Sequence, residues 1–221
     1  MKSVVFCLPG KLFSYKFVLS WSNLLNSCVP TFNIIPLVRM AYSSNVYDVR
    51  DLCLEGNNNG PPNQKPFKGQ LEYDYIMWID SDIVFEPEQF KTLYDYMEEN
   101  DNCHILSGLY LSQNDRMSAH FDPDLSKKYT FITTRDIQES LGSRPFKVLY
   151  SGMGFMLVRR GVFESITFPW FAPSTYLGSG GAELYAGEDA SFCKRAKNAG
   201  FATWLHPQVI VGHEKPTVLR P

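Results

Sequence analysis

The sequence lacks the features that mark several classes of protein. Its 221 residues carry 21 Lys and Arg against 23 Asp and Glu, and no Lys/Arg run stands out. Binding to nucleic acid through a basic patch is therefore not expected. No apolar run approaches the roughly 20 residues of a membrane span. Ser3–Leu8 is apolar but is interrupted by Pro9-Gly10, so it is too short for a signal-peptide core and is predicted as a strand.

Cysteine is also scarce, and its spacing gives no sign of a paired-cysteine site. The five residues are odd in number, lie far apart and form no C-x-x-C pair. They are interpreted as small buried thiols in a reducing compartment. We therefore expect a cytoplasmic protein, in the host cytoplasm if it is viral. The length suits one domain, residues 1–221, and the sequence leaves the oligomeric state open.

The first half of the chain alternates predicted strands and helices. The helices contain apolar residues at helical spacing, and Ser43 or Ser44 is a candidate cap for the second, with Val46 and Cys53 on its buried face. This order predicts parallel strands joined by crossover helices. In such sheets ligands bind beyond the carboxyl ends of the strands. The predicted strands are Val4–Leu8, Phe32–Met40, Tyr75–Ile79 and His104–Leu111.

The second half is more irregular. Ser112–Leu125 is polar with few apolar anchors, and Pro169–Ala182 is predicted as a loop. A helix follows Gly187 and ends at Gly200. The Gly/Asn/Pro-rich segment Glu55–Leu71 is predicted to be a loop that is mobile without ligand. The predicted strands are Tyr129–Thr133, Phe146–Tyr150, Phe155–Val158, Thr203–Leu205 and Val209–Val211.

Two carboxylates follow the most apolar strand. Tyr75–Ile79 has the composition of a strand buried on both faces, and it leads directly into Asp80-Ser81-Asp82. Lone charges avoid interiors because desolvation is expensive. A divalent cation that prefers oxygen, such as Mg²⁺ or Mn²⁺, is the simplest partner for two acids one residue apart. The alternative is an Asp-Ser-Asp turn that closes the strand.

Four short motifs occur in an order that is known from one fold family. They are Asp80-Ser81-Asp82, Ser151-Gly152-Met153-Gly154, Gly187-Glu188-Asp189 and His213. With these the chain resembles the GT-A glycosyltransferases, whose Asp-X-Asp motif holds a complex of metal and nucleotide sugar. It looks closest to the compact glycosyltransferase domains of large algal viruses. The resemblance implies an α/β fold with a mixed, mainly parallel central sheet flanked by helices. A Rossmann-like nucleotide-sugar half, about 1–111, would precede a more irregular acceptor half, about 112–221.

The resemblance also implies the residues that bind the donor and a metal. Asp82 would bind Mn²⁺ or Mg²⁺ directly, Asp80 would be shared between the cation and the ribose, and His213 would be the third protein ligand. Lys215 would neutralise the departing diphosphate. The alternatives are a structural histidine and a solvated surface lysine. Further contacts to the nucleotide sugar are assigned to Leu8, Pro9, Gly10, Arg50 and Ser81, although Arg50 is equally well read as a surface arginine.

The acceptor side takes its expectations from the same resemblance. Asp189 is the candidate catalytic carboxylate and Glu188 a candidate acceptor contact. Their alternative is a helix cap with an acid favoured by the helix dipole. Further acceptor contacts are assigned to Gly152, Met153, Gly154 and Trp170. Trp170 and Phe171 would form a sugar-stacking face, and their alternative is a small satellite core.

These residues together predict a metal-dependent glycosyltransferase. It would move a sugar from a nucleoside-diphosphate sugar, with UDP the expected nucleotide, to a hydroxyl of a glycan or glycoconjugate. A nucleotidyltransferase that makes the activated sugar is a rival, although Pro9-Gly10-Lys11 is a poor version of its Gly-rich loop. A phosphatase of the haloacid-dehalogenase type carries its Asp-X-Asp after the first strand, not the third. A non-catalytic carbohydrate-binding module on the same fold is the rival from another class.

Overall fold

The centre of the molecule is a mixed β-sheet. The computed structural model describes residues 1–38, 45–122, 130–139, 142–177 and 182–215. Within these ranges the strands are β1 Lys2–Leu8, β2 Phe32–Val38, β3 Tyr75–Ile79, β4 Ile83–Val84, β5 Ile105–Leu109, β6 Leu111–Gln113, β7 Arg116–Phe121, β8 Phe131–Thr133, β9 Phe146–Ser151, β10 Phe155–Arg159, β11 Thr175–Leu177, β12 Glu183–Tyr185, β13 Thr203–Ile210 and β14 Gly212–His213. The helices are α1 Tyr15–Cys28, α2 Val46–Cys53, α3 Pro87–Glu99, α4 Thr134–Glu139 and α5 Glu188–Asn198.

The strand order of the large sheet is β2-β1-β3-β10-β5-β13-β9-β7-β6, with β8 also paired to β7. β1 is parallel to β2 and β3, and β13 is parallel to β5. β10 lies antiparallel between β3 and β5, so β3 and β5 run in the same direction. Among the six strands from β2 to β13, every one except β10 therefore points the same way. This confirms the predicted mixed, mainly parallel central sheet.

Helices cover both faces of this sheet. Every residue of β3 and of β5 is buried, as expected for strands that are covered on two sides. One core contains apolar residues of α1 and α3, such as Leu24 and Phe90. The core on the other face contains Cys53 of α2 and Phe192 of α5. Pro87 and a capping box between Glu86 and Gln89 begin α3, because Pro suits the first turn and the box satisfies free backbone N–H groups.

The buried face of α2 differs from the prediction. Val46 is 42% exposed, whereas Arg50 and Asp51 are 3% and 4% exposed. The spacing of apolar residues did not predict this buried face. Arg50 and Asp51 have partners in distant segments, and these partners offset the cost of burying the two side chains. The side chain of Asn45 caps the helix by accepting from the N–H of Tyr47. The predicted caps Ser43 and Ser44 lie outside the described residues.

The second half contains more strand than the sequence predicted. Within Ser112–Leu125 the chain forms β6 and β7, and β11 lies within the predicted loop Pro169–Ala182. Along β7, Met117, Ala119 and Phe121 pack into a small core, while the intervening Ser118 and His120 line a cavity. These polar residues hid the strand from the hydrophobic pattern. The two strands predicted near the C-terminus are one strand, β13, with an irregularity between Leu205 and Ile210.

The segment Glu55–Leu71 has more anchors than its composition indicated. Phe67 is 4% exposed, and its N–H donates to the carbonyl of Leu54 at 2.8 Å. The carbonyl of Pro62 accepts from the N–H of Phe168 at 3.0 Å. The mobility of this segment stays a prediction, and it now applies to the exposed residues that precede Pro66. In the described ranges, no helix has the length and apolar character needed to cross a membrane.

Candidate active site

The carboxyl ends of β1 and β3 meet, as their parallel pairing requires. A Cβ added to Gly10 would lie 2.4 Å from the Cβ of Ser81. Glycine is therefore required where the two chain segments approach each other. Leu8 is 2% exposed and Pro9 is buried. Their side chains belong to the core, so only the backbone of these two residues could contact a nucleotide sugar.

Arg50 connects the end of β3 to the start of α5. Its Nη1 and Nη2 lie 3.1 Å from the two carboxylate oxygens of Asp80, and its Nε lies 3.2 Å from Oε1 of Glu188. The guanidinium also lies over the ring of Trp78, 5.5 Å from the centroid. Burial opposes the positive charge, but the two carboxylates outweigh it and raise the pKa of Arg50. The surface alternative for Arg50 is therefore wrong.

Asp82 is held by the end of the described chain. β14 pairs antiparallel with β4, which places His213 opposite Ile83. The N–H of Glu214 donates to the carbonyl of Asp82 at 2.7 Å. His213 Nε2 and Lys215 Nζ then lie 3.0 and 3.1 Å from the same Asp82 oxygen, Oδ2. The structure thus brings Asp82 next to His213 and Lys215, which follow it in the sequence by 131 and 133 residues.

The orientation of His213 fits a cation ligand. Its Nδ1 lies 2.7 Å from the carbonyl oxygen of Leu111, and a carbonyl can only accept, so Nδ1 carries a proton. In the neutral ring Nε2 then presents a lone pair toward Asp82, which suits a metal that both side chains share. Among the described residues, however, no three His, Cys, Asp or Glu side chains group closely enough to hold a metal ion. Both carboxylate oxygens of Asp80 instead lie 3.1 Å from guanidinium nitrogens of Arg50.

Asp189 occupies a different environment at the start of α5. Burial and the neighbouring charge of Glu188 raise the pKa of Asp189 to about 6. One of its oxygens accepts from the N–H of Ala190 at 2.6 Å. The N-cap of the helix is Gly187, so neither acid fills the cap position. Glu188 was predicted to contact the acceptor, but its Oε1 is bound to Arg50.

A cavity of about 580 Å³ opens beside Asp189. Gly152 lines it, while Met153 is 1% exposed and packs into the core. The glycines on either side make room for Tyr110: a Cβ on Gly152 would lie 2.1 Å from its hydroxyl, and one on Gly154 would lie 2.9 Å from its ring. The Gly-rich motif therefore shapes the cavity wall, and an acceptor contact from the Met153 side chain is excluded.

The predicted sugar-stacking face is wrong. Trp170 and Phe171 are both 0% exposed, and Phe168 packs edge-on against Trp170 at 5.0 Å. The N–H of Trp170 donates to Oδ1 of Asp51 at 3.0 Å. The alternative was right that these aromatics are buried, but they belong to the large core that also contains Trp78 and Phe192, not to a small satellite core.

Two residues near the site were missed by sequence reasoning. Tyr110 lines the cavity, its hydroxyl accepts from the N–H of Gly154 at 3.2 Å, and its ring meets the edge of His213 at 5.0 Å. It therefore stands between the donor residues and Asp189. Its place directly after β5 was the available signal, since ligands gather at such strand ends. The buried Asp51 had no comparable signal in the sequence.

Comparisons with known proteins agree with this architecture. A family model described as glycosyltransferase like family 2 matches residues 58–220. The crystal structure of A197 from STIV is 15% identical, with a TM-score of 0.56 over 100% of this chain and 98% of that chain. That of GalNAc-T7 with UDP, GalNAc and Mn²⁺ is 11% identical, with a TM-score of 0.47, and covers 96% of this chain and 43% of that chain. A search of curated protein sequences finds no significant match. The family match and the sheet confirm the predicted GT-A fold.

Proposed function

We propose that this chain, which belongs to the glycosyltransferase like family 2, is a metal-dependent enzyme that transfers a sugar from a UDP-sugar to a hydroxyl of a glycan or glycoconjugate. Glycosyl transfer in general follows from the family. The donor, the acceptor and the metal are parts of the proposal. So is the division of one domain into a nucleotide-sugar half, about residues 1–111, and an acceptor half, about 112–221.

One observation carries the proposal. The acids at the end of β3 and the carboxylate at the start of α5 are remote in sequence, yet Arg50 links them through Asp80 and Glu188. A cavity adjoins Asp189. A sugar transferase needs this combination, because a charged donor and a neutral hydroxyl must meet at one carbon atom.

The donor end is assigned to the residues around Asp82. Asp82 and His213 would hold Mn²⁺ or Mg²⁺, which when bound stabilises negative charge on the leaving diphosphate. Lys215 adds a positive charge at the same place, and its side chain is 57% exposed, so it is accessible to a ligand. Asp80 is assigned to the ribose, with Arg50 fixing its position. Gly10 and Ser81 offer backbone and hydroxyl groups at the floor of the donor site.

Asp189 is assigned to the acceptor hydroxyl. A carboxyl group whose pKa is about 6 is ionised at neutral pH and is closer to the working pH than an ordinary aspartate, which favours general-base catalysis. In the proposed step Asp189 takes the hydroxyl proton, the oxygen bonds to the anomeric carbon, and the bond from that carbon to the diphosphate oxygen breaks. This corresponds to an inverting transfer. In a retaining transfer Asp189 would instead stabilise positive charge on the sugar ring.

The test is release of nucleoside diphosphate from a set of nucleotide sugars, with and without Mn²⁺ or Mg²⁺. We expect turnover of at least one UDP-sugar, loss of that turnover with EDTA, and its recovery when Mn²⁺ is restored. Release of pyrophosphate from a nucleoside triphosphate and a sugar phosphate would instead identify a nucleotidyltransferase. Binding of saccharides with no turnover of any nucleotide sugar would identify a carbohydrate-binding module and overturn the proposal.

A further inference from the structure

The cavity beside Asp189 has an aromatic wall that reaches the surface. Tyr176 and Tyr185, on strands β11 and β12, are 42% and 79% exposed, and both line the cavity. Phe131 and Tyr150 continue the aromatic lining inward. The volume of about 580 Å³ lies within the range of roughly 300–1,000 Å³ that is usual for small-molecule sites. Exposed aromatic surface at the mouth of such a cavity marks a binding site.

The backbone that carries the two tyrosines is fixed from both sides. The hydroxyl of Tyr47 on α2 donates to the carbonyl of Ala186 at 2.7 Å. The Nζ of Lys194 on α5 donates to the carbonyl of Thr175 at 2.8 Å. A platform that is held before the ligand arrives loses less conformational entropy on binding. The strand that carries Tyr185 is therefore held in place before a ligand binds.

The remaining lining residues indicate the chemistry of the ligand. They provide hydroxyl, amide and amine groups from Ser112, Ser118, Ser174, Thr175, Asn198 and Lys194. Among the described lining residues, Asp189 is the only acid. A saccharide matches this mixture, because its C–H faces pack on aromatic rings while its hydroxyls pair with the polar groups. A lipid chain would leave the polar groups without partners, which is costly.

The cavity has a continuation along α5. A second cavity of about 340 Å³ shares Leu149 and Lys197 with the first. Lys197 also pairs with Asp122, at 3.3 Å. The eight residue steps from Asp189 to Lys197 rise about 12 Å along the helix. A pair of neighbouring cavities of this length extends beyond one sugar ring.

We propose that the acceptor is a saccharide of two or more units, whose terminal sugar packs on Tyr185 while the next unit extends toward Lys197. This inference rests on the proposed function, since it names the acceptor of the same reaction. It replaces the buried Trp170 with the exposed Tyr185 as the stacking residue. It also excludes a lone monosaccharide as the preferred acceptor.

The experiment uses the full chain, Mn²⁺ and the UDP-sugar that gives the fastest turnover. The probes are methyl glycosides of glucose, galactose, mannose and N-acetylglucosamine, together with di- and tetrasaccharides of the same sugars. Transfer to each probe and hydrolysis of the donor without a probe are measured separately. We expect the KM of the preferred saccharide to fall about tenfold from one unit to two.

The variants separate stacking from folding. Tyr185→Ala should raise the KM for the preferred disaccharide about tenfold, equivalent to about 1.4 kcal/mol. Tyr185→Trp should restore the low KM because it keeps an aromatic face. Tyr15→Ala is the matched control: Tyr15 is 77% exposed but lies on α1, and this variant should behave like the parent.

Each negative result has a distinct meaning. An equal KM for one and two units, or an unchanged KM for Tyr185→Ala, overturns the inference while sugar transfer stands. If the donor is hydrolysed in a metal-dependent manner but no saccharide is glycosylated, the inference fails and the proposed function survives. If no nucleotide sugar is turned over at all, the proposed function fails first.

Discussion

The aspartates at the proposed donor end of this site have different surroundings from the aspartate at the proposed acceptor end. Asp80 and Asp82 lie next to cationic or imidazole groups, from Arg50, His213 and Lys215. Asp189 lies in a cavity wall where burial raises its pKa to about 6, and no ion pair to it is found among the described residues. Paired acids suit the holding of charge, and a buried acid suits proton transfer. In the proposed reaction these two environments would give one residue type two roles.

The largest expected effect tests the proton-transfer side of this comparison. Asp189→Asn removes the proton acceptor and keeps the size, so transfer at saturating donor should fall by roughly 10²–10⁴-fold. Donor affinity and the melting temperature should change little, because Gly187 is the helix cap. Asp95→Asn, at an exposed position on α3, is the charge-matched control. Near-normal transfer by Asp189→Asn would remove Asp189 from the chemistry.

The ion-paired acids are tested by replacing Arg50, which connects Asp80 to Glu188 on α5. Arg50→Met leaves Asp80 and Glu188 without their shared cation, and loss of one partner of a buried ion pair costs about 3–5 kcal/mol. Urea unfolding should show this loss, and Arg50→Lys should recover part of it. Arg135→Met, which removes an exposed arginine with a single acidic partner, should change stability by less than about 1 kcal/mol. Equal stability of Arg50→Met and the parent would contradict the network.

A smaller effect is expected for Asp82, whose contacts to His213 and Lys215 are more exposed than those of Arg50. Asp82→Ala should weaken Mn²⁺-dependent UDP binding about 100-fold, equivalent to about 2.7 kcal/mol, as measured by calorimetry. Repulsion between Asp80 and Asp82 alone would leave stability without metal level or higher once one acid is removed. The contacts to His213 and Lys215 now predict a fall of at most about 1 kcal/mol, because the pair is partly exposed. UDP and Mn²⁺ binding like that of the parent would exclude Asp82 as a ligand.

The buried Asp51 provides a pH test of how burial changes the pKa of a carboxyl group in this protein. Burial raises its pKa to about 6, against the backbone N–H groups of Phe171 and Trp170 that lower it. Between about pH 4 and 6 the folded state therefore keeps a proton that the unfolded state has lost, and this group's contribution to stability falls as pH rises. The free energy of unfolding of the parent relative to Asp51→Asn should decrease over this window. A pH-independent difference would show that the carboxyl is not perturbed.

The smallest effect concerns the segment before β3. Limited digestion with proteinase K should cut first among the exposed residues 57–59, because they bury little surface, and not at Phe67, which packs beside Tyr73. UDP and Mn²⁺ should slow this cleavage if the segment orders on donor binding. Mass spectrometry of the first fragments locates the cut. Resistance equal to that of the central strands would end the idea of a mobile segment.

The sequence by itself determined the sheet's framework and the positions of its acids. Continuous apolar runs at Val4–Leu8 and Tyr75–Ile79 could only be strands covered on both faces, and the alternation with helices made them parallel. That geometry allows the two strand ends, Pro9-Gly10 and Asp80-Ser81-Asp82, to lie close together. The order of the short motifs also identified the fold family. These features follow from local patterns, which a chain carries in its own sequence.

The tertiary structure decided which polar and aromatic groups meet. Arg50 and Trp170 are both buried, and the sequence had assigned each an exposed or ligand-facing role. Burial of a charge depends on partners such as Asp80 and Glu188, which lie 30 and 138 residues away. Exposure of an aromatic depends equally on what packs over it, so Tyr185 faces the cavity mouth and Trp170 fills a core. A hydrophobic pattern reflects only the average cost of burying each residue type. The candidate site contains residues, such as Arg50 and Tyr185, whose burial departs from that average.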